Sequence, residues 1–253
     1  MDLHMTGKTA LVTGASKGIG RAVAESLAAE GVHLHLAART PADLDQAAAA
    51  IRGRYNVSVA VHAVDLATSA GVDRLGQDCK DVDILINNAG SIPSGSLLEI
   101  DEARWRQAWE LKLYGFINLT RHVYRAMTER KSGVILNVIG GAAHNPRPAY
   151  IAGAAANAAL DAFTVALGRE SHLHNVRVLG VHPGTTATPR QEALWAPRAE
   201  KKFGDASRWR ELLPPAPFGR ATEASEVADM VVFLASDRAS HTTGITMSMN
   251  GGV

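Results

Sequence analysis

The chain has 253 residues, 46% of them hydrophobic, enough for one sizeable buried core and too many for a disordered chain. Its 26 basic and 25 acidic residues leave a net charge of +1, so no bulk field recruits nucleic acid or an anionic membrane. Cys79 is the one cysteine, which excludes an intrachain disulfide and a CxxC-type metal site and leaves an ordinary semi-buried thiol.

No basic-then-apolar leader precedes the first strand, and no apolar run approaches the roughly 18 residues that span a bilayer. The expectation is a soluble, cytoplasmic protein with no membrane partner. Residues 9–12 form a short apolar strand that runs into Thr13-Gly14-Ala15-Ser16-Lys17-Gly18-Ile19-Gly20. Ile19, Val23 and Leu27 then recur every four residues up to Gly31, a natural helix stop. Strand, glycine-rich turn and helix are the context of a dinucleotide site. Glycines let the backbone approach a pyrophosphate, and the helix N-terminus offers free N–H groups and a positive dipole end.

The second strand covers residues 32–38, with His33 and His35 alternating with Val32, Leu34 and Leu36. These histidines read as polar strand positions rather than ligands, because nothing nearby offers a third metal donor; no metal is expected. An alanine-rich helix (41–55), a third strand (57–64) ending at Asp65 and a short helix (69–80) follow. The fourth strand, 82–86, leads into Asn87-Asn88-Ala89-Gly90. A long helix over 101–130 is capped by Asp101 and stopped at Ser132-Gly133. Residues 134–139 form strand five, and helix five starts near Pro148 and runs to about His172. Residues 176–181 and 245–249 are strands six and seven. Regular alternation of strand and helix predicts a Rossmann-like doubly wound α/β fold: seven parallel strands, right-handed crossovers and helices on both faces. The whole of 1–253 reads as one domain. Only 183–220 breaks the rhythm; its two tryptophans, five prolines from Pro189 to Pro217 and many charges suit a mobile lid over a substrate pocket.

An unphosphorylated cofactor usually meets an acid about 20 residues past the glycines, at its ribose 2′-OH. Here strand two ends Ala37-Ala38-Arg39-Thr40, with no acid. Arg39 offers a planar cation for a 2′-phosphate, and Lys17 a second charge, so NADP(H) is favoured over NAD(H).

Over essentially its full length the chain resembles the short-chain dehydrogenase/reductase family. The resemblance is carried by Thr13-Gly-x-x-x-Gly-x-Gly20, Asp65, Asn87-Asn88-Ala89-Gly90, Pro183-Gly184 with Thr188, and Phe218-Gly219-Arg220. Glu226-Val227-Ala228, Phe233-Leu234-Ala235-Ser236-Asp237 and Gly251-Gly252 extend it. It implies a nicotinamide cofactor at the carboxyl ends of the strands. Asp65 would hold the adenine, Asn88 to Gly90 would lie along the adenosine ribose, and Pro183 to Thr188 would cradle the carboxamide. The implied cofactor set is Gly14, Ser16, Lys17, Gly18, Ile19, Gly20, Arg39, Asp65, Leu66, Asn88, Ala89, Gly90, Pro183, Gly184, Thr186 and Thr188.

The chemistry departs from the resemblance. The family pattern is a Ser, a Tyr thirteen residues later, a Lys four further on, and an Asn on helix four. Aligning Asn157-Ala158-Ala159-Leu160 with Lys-Ala-Ala-Leu puts Asn157 at the Lys position, Gly153 at the Tyr position and Gly140 at the Ser position. On helix four Leu111-Lys112-Leu113-Tyr114-Gly115 matches Val-Asn-Leu-x-Gly, so Lys112 replaces Asn. Tyr150 cannot be the family tyrosine by spacing, since Ala154 lies four residues on and Asn137 thirteen back. Yet Lys and Asn have exchanged places between the two helices, and Tyr150, Gly153 and Asn157 share one helical stripe at i, i+3 and i+7. The expected catalytic set is Lys112 as cation or proton source, Tyr150 as a displaced hydroxyl, and Asn157 as a hydrogen-bonding group. His144 is an additional acid–base candidate. The alternative is that Tyr150 packs in the core while Lys112 and His144 are ordinary residues.

Helix five carries small residues on many faces, and the family pairs helices four and five between subunits, so a homodimer or homotetramer is expected. Arg190, Arg198, Lys201, Lys202 and Arg208 in the lid suit either an anionic substrate or a solvated face, and the solvated face is preferred. The functional expectation is NADP(H)-dependent hydride transfer to or from a small-molecule carbonyl or alcohol. The alternatives are a cofactor-binding sensor or assembly protein, or non-redox chemistry on the same scaffold.

Overall fold

The protein is described from a computed structural model covering residues 1–213 and 217–252. Strands β1 (Thr9–Thr13), β2 (His33–Ala38), β3 (Val59–Ala63), β4 (Ile84–Asn87), β5 (Gly133–Val138) and β6 (Val176–Pro183) precede two short strands, β7 (Thr186–Ala187) and β8 (Thr222–Glu223), and a last strand β9 (Ile245–Met249). The helices are α1 (Gly18–Ala29), α2 (Pro41–Arg54), α3 (Ser69–Asp78), α4 (Glu102–Trp109), α5 (Gly115–Arg130), α6 (Ile151–Ser171), α7 (Pro189–Phe203) and α8 (Ala224–Ala235). Seven strands form one parallel sheet in the order β3-β2-β1-β4-β5-β6-β9. The chain reverses its direction of travel across the sheet between β1 and β4. A crevice therefore opens there, beyond the carboxyl ends of both strands.

The strands are apolar on both faces because helices cover both. Ala10 and Val12 of β1 join a core with Val23 and Leu27 of α1, Leu44 of α2 and Val231 of α8. Leu11, between them, points the other way, into a core with Leu75 of α3 and Leu119 and Val123 of α5. Each such fully buried leucine contributes on the order of 2 kcal/mol.

Three sequence expectations change, and the expected lid gains internal detail. The long helix over 101–130 is interrupted by a π-helical turn, Glu110–Tyr114, between α4 and α5. Helix α6 begins at Ile151 rather than near Pro148, with Tyr150 as its N-cap residue in a non-helical conformation. The 183–220 segment, expected as a lid, has structure of its own. Parallel pairing of Thr186 with Thr222 and Ala187 with Glu223 closes its base, and α7 and a 3₁₀ stretch around the buried Trp209 fill it. Residues 214–216 of that expected lid lie outside the described residues. Finally, Ile151–His174, 24 residues, is long and apolar enough by length and composition to cross a membrane. Alanine content produces that property, and the helix packs here on β6 and β9, burying Ala152, Ala156, Asn157 and Leu160.

Candidate functional site

At the amino end of the crevice the backbone itself forms a cradle. Gly14 and Gly18 hold φ of +65° and +60°, the left-handed region. A Cβ on Gly20 would fall 2.3 Å from the Gly14 carbonyl oxygen, so the turn closes only without one. Helix α1 then starts with no side chain capping its first turn, which leaves its N–H groups to an anion. The Thr13 hydroxyl accepts from the Asn88 and Ala89 N–H groups at 2.9 and 3.1 Å, and the Asn88 amide donates to the Thr13 carbonyl at 3.0 Å. These bonds tie the end of β4 to the end of β1 and lay Asn88 to Gly90 along the crevice.

The crevice has a volume of about 1120 Å³. Of the expected cofactor set, all but Gly20 and Asp65 line it. Gly20 is buried under the turn, and Asp65 is exposed beside the lining residues Val64 and Leu66, its carboxylate accepting from the Ala67 N–H at 3.0 Å. Arg39 is exposed on the wall at the end of β2. Lys17 also lines it but pairs with the Asp43 carboxylate at 3.1 Å, so it is already partly neutralised. The uncapped helix end, the close-packed glycines and the adjacent Arg39 fit a phosphate-bearing dinucleotide.

The π turn aims Lys112 into the floor of this crevice; insertions of this kind recur at functional sites. Its ammonium donates to the Val138 carbonyl at 2.8 Å and lies 4.4 Å from the Phe116 ring centre. Gly90 makes room for its stem, since a Cβ there would sit 2.9 Å from Lys112 Cδ. Burial, with the Arg190 guanidinium as a second cause, pushes the Lys112 pKa down to about 7.

Tyr150 stands outside the helix as its N-cap residue, yet its side chain covers the stripe at Gly153. Its ring lies over Gly153, where a Cβ would fall 2.1 Å from Tyr150 Cε1. The phenol thus fills space that any side chain at position 153 would claim, and it lines the crevice while Gly153 does not. Burial raises the phenol's pKa, and the Arg190 guanidinium opposes that shift. Asn157 reaches across to Gly140, its amide donating to the Gly140 carbonyl at 3.3 Å; a Cβ on Gly140 would sit 2.9 Å from that nitrogen. The Asn157 Oδ1 is buried with no hydrogen-bond partner among the described residues, an acceptor with unused capacity.

Arg190, though exposed like the solvated face expected of the lid cations, also donates to the Gly90 and Ile92 carbonyls, and its charge acts on Lys112 and Tyr150. The available signal was its place in the first turn of a helix opened by Thr188 and Pro189. His144 is also displaced: it does not line the crevice but faces Ser248 at 3.3 Å and Asp161 at 3.5 Å. His182, fully buried, bonds the Asp161 carboxylate at 2.7 Å and the Gly140 carbonyl at 3.0 Å. Burial raises the Asp161 pKa, but hydrogen bonds from Thr246 and His182 outweigh it and hold the carboxyl below its ordinary value. The pair Asp161–His182 therefore braces the carbonyl that receives Asn157. No sequence signal links residues 161 and 182, which meet through α6 and β6. The expectation that His35 has no third donor nearby also fails, because His62 and Cys79 converge on it.

Comparison with known proteins adds the family frame. A model of the short chain dehydrogenase family matches residues 8–199. The chain is 33% identical to an L-xylulose reductase of Bos taurus over 253 residues, covering 100% of this chain and 98% of that protein. It is 32% identical to a 2,3-dihydro-2,3-dihydroxybenzoate dehydrogenase of Bacillus subtilis (strain 168) over 250 residues, covering 97% and 95%. Among solved structures, an L-sorbose reductase of Gluconobacter frateurii complexed with NADPH and L-sorbose superposes with a TM-score of 0.95 at 32% identity, covering 100% of this chain and 98% of the other.

Proposed function

The chain belongs to the short chain dehydrogenase family, and from that premise we propose that it is an NADP(H)-dependent oxidoreductase acting on a ketone–alcohol pair with a rearranged catalytic set. The observation that carries the reading is the Tyr150 ring lying over Gly153, in the same crevice as the glycine cradle.

Gly14 to Ile19 and the first turn of α1 would hold the cofactor's pyrophosphate, and Arg39 its 2′-phosphate. When bound, the nicotinamide supplies the hydride to the carbonyl carbon, or accepts it in the reverse direction. Tyr150 donates its hydroxyl hydrogen to the substrate oxygen and then the proton, as that oxygen gains charge. The Arg190 guanidinium beside it stabilises the phenolate that results. The unpartnered Asn157 Oδ1 accepts a hydroxyl hydrogen from ribose or substrate. Lys112, poised near neutrality by burial, holds an exchangeable proton on the crevice floor.

Asn145, Arg147, Gln191 and Asn250 place polar groups on a wall otherwise made apolar by Leu194, Trp195, Met247 and Met249, and they could meet the hydroxyls of a ketone of the ketose type named in two of the relatives. The test is NADPH oxidation by the purified protein against ketoses, β-keto thioesters and simple ketones, with Tyr150→Phe in parallel. Turnover of ketoses that Tyr150→Phe loses supports the assignment. Turnover unchanged in that variant removes Tyr150 from the mechanism. NADPH binding without turnover of any ketone would replace the redox reading with a cofactor sensor.

Ala155, Ala158, Ala159 and Ala162 present an exposed small-residue face on α6, which supports self-association through this helix and its neighbours α4 and α5. Light scattering of an Ala159→Arg variant tests it; an unchanged mass would reject this face as the interface.

A further inference from the structure

On the outer half of the sheet, away from the catalytic set, three side chains from separate elements converge. His35 projects from β2, His62 from the edge strand β3, and Cys79 follows the last residue of α3. His35 Nδ1 lies 2.9 Å from His62 Nε2, and Cys79 Sγ lies 3.4 and 3.6 Å from those two nitrogens. None of the three lines the cofactor crevice.

We propose that His35, His62 and Cys79 form a zinc site that pins α3 to strands β2 and β3. Zinc takes imidazole nitrogen at about 2.0–2.1 Å and thiolate sulfur at about 2.3 Å in tetrahedral geometry. Those bond lengths place two nitrogens about 3.3 Å apart, and nitrogen and sulfur about 3.6 Å apart. The triangle agrees with this to within a few tenths of an ångström, the two nitrogens lying slightly closer than a shared metal would hold them. Two imidazoles and one thiolate are the donors that suit zinc over magnesium or calcium.

The surroundings supply what a site needs beyond its ligands. The Asp78 carboxylate lies 3.8 Å from His62 Nδ1, the nitrogen facing away from the triangle. That is beyond hydrogen-bond distance, but it is the side from which a carboxylate orients a ligating imidazole. A cavity of about 270 Å³ lined by His62, Ala63, Arg74 and Asp78 opens beside the cluster. It provides an entry path and room for water as the fourth ligand. On binding, Cys79 releases its proton to solvent, and the hydrogen that one imidazole holds between His35 Nδ1 and His62 Nε2 moves to that ring's other nitrogen, which frees both for the metal. Because β3 is the sheet edge, the metal would hold its outermost strand against both a neighbour and a helix.

The experiment is titration of the chelator-treated full chain with cobalt(II), followed by displacement with zinc(II). One equivalent giving tetrahedral visible bands and a thiolate-to-cobalt charge-transfer band is expected. Cys79→Ser should lose the charge-transfer band, and Asp78→Asn should weaken zinc about 10–100-fold. His144→Ala, in the separate His144–Asp161–His182 cluster, should leave stoichiometry and spectrum unchanged. Circular dichroism and NADPH binding establish that each variant is folded. Absence of the bands in folded wild type, retention of the charge-transfer band in Cys79→Ser, or its loss in His144→Ala would each overturn the site.

Discussion

Replacing Lys112 with methionine keeps the length of the buried stem and removes the ammonium, so it isolates one ionisation. In the folded chain Lys112 has its pKa pushed down from 10.5 to about 7, chiefly by burial. Between those two values the unfolded chain binds the proton and the folded chain does not, so stability rises with pH across that window. Below pH 7 both states are protonated and the full cost of burying the charge, about 5 kcal/mol for 3.5 units, is present. From pH 7 to pH 9 the wild type should gain about 2 kcal/mol relative to Lys112→Met. Urea unfolding of both proteins at the two pH values measures that difference directly, with other titrations cancelling between them. Parallel pH dependences would refute a neutral, buried Lys112 and the proton role assigned to it. In the same variant, the limb near pH 7 in a kcat/KM profile should disappear.

The other expectations concern cofactor and substrate. Tyr150→Phe should lower kcat by about 10²–10⁴-fold with NADPH affinity unchanged, measured by stopped-flow reduction and nicotinamide fluorescence. Gly153→Ala places a methyl 2.1 Å from Tyr150 Cε1 and should displace the ring, lowering kcat while circular dichroism stays native. Wild-type turnover in that alanine variant would show that the ring position is immaterial. Arg39→Ala should weaken NADPH about 10–100-fold, the worth of a charge-assisted hydrogen bond, and leave NADH alone. Equal losses for both cofactors would remove Arg39 from the 2′-phosphate.

The order of strands and helices and the glycine cradle were legible because both are local. Apolar runs at strand length, a four-residue repeat ending at Gly31, and glycines between them need only neighbours in sequence to act. So was the departure at Gly140, Gly153 and Asn157, where alignment with the family pattern shows that the usual groups are missing. What replaces them was decided by tertiary structure. Lys112 has a pKa near 7 only because the π turn carries it into a dry floor beneath Gly90. Tyr150 lines the crevice with its ring folded back over a glycine three residues on. Arg190 belongs to this set through bonds to carbonyls a hundred residues away. The same holds for His35, His62 and Cys79, ordinary side chains on separate elements until parallel pairing of β2 and β3 and the packing of α3 bring them together. Periodicity records which way a side chain faces on its own element. A pKa, a ligand triangle or a displaced phenol depends on what faces back, and that is fixed only when the elements pack.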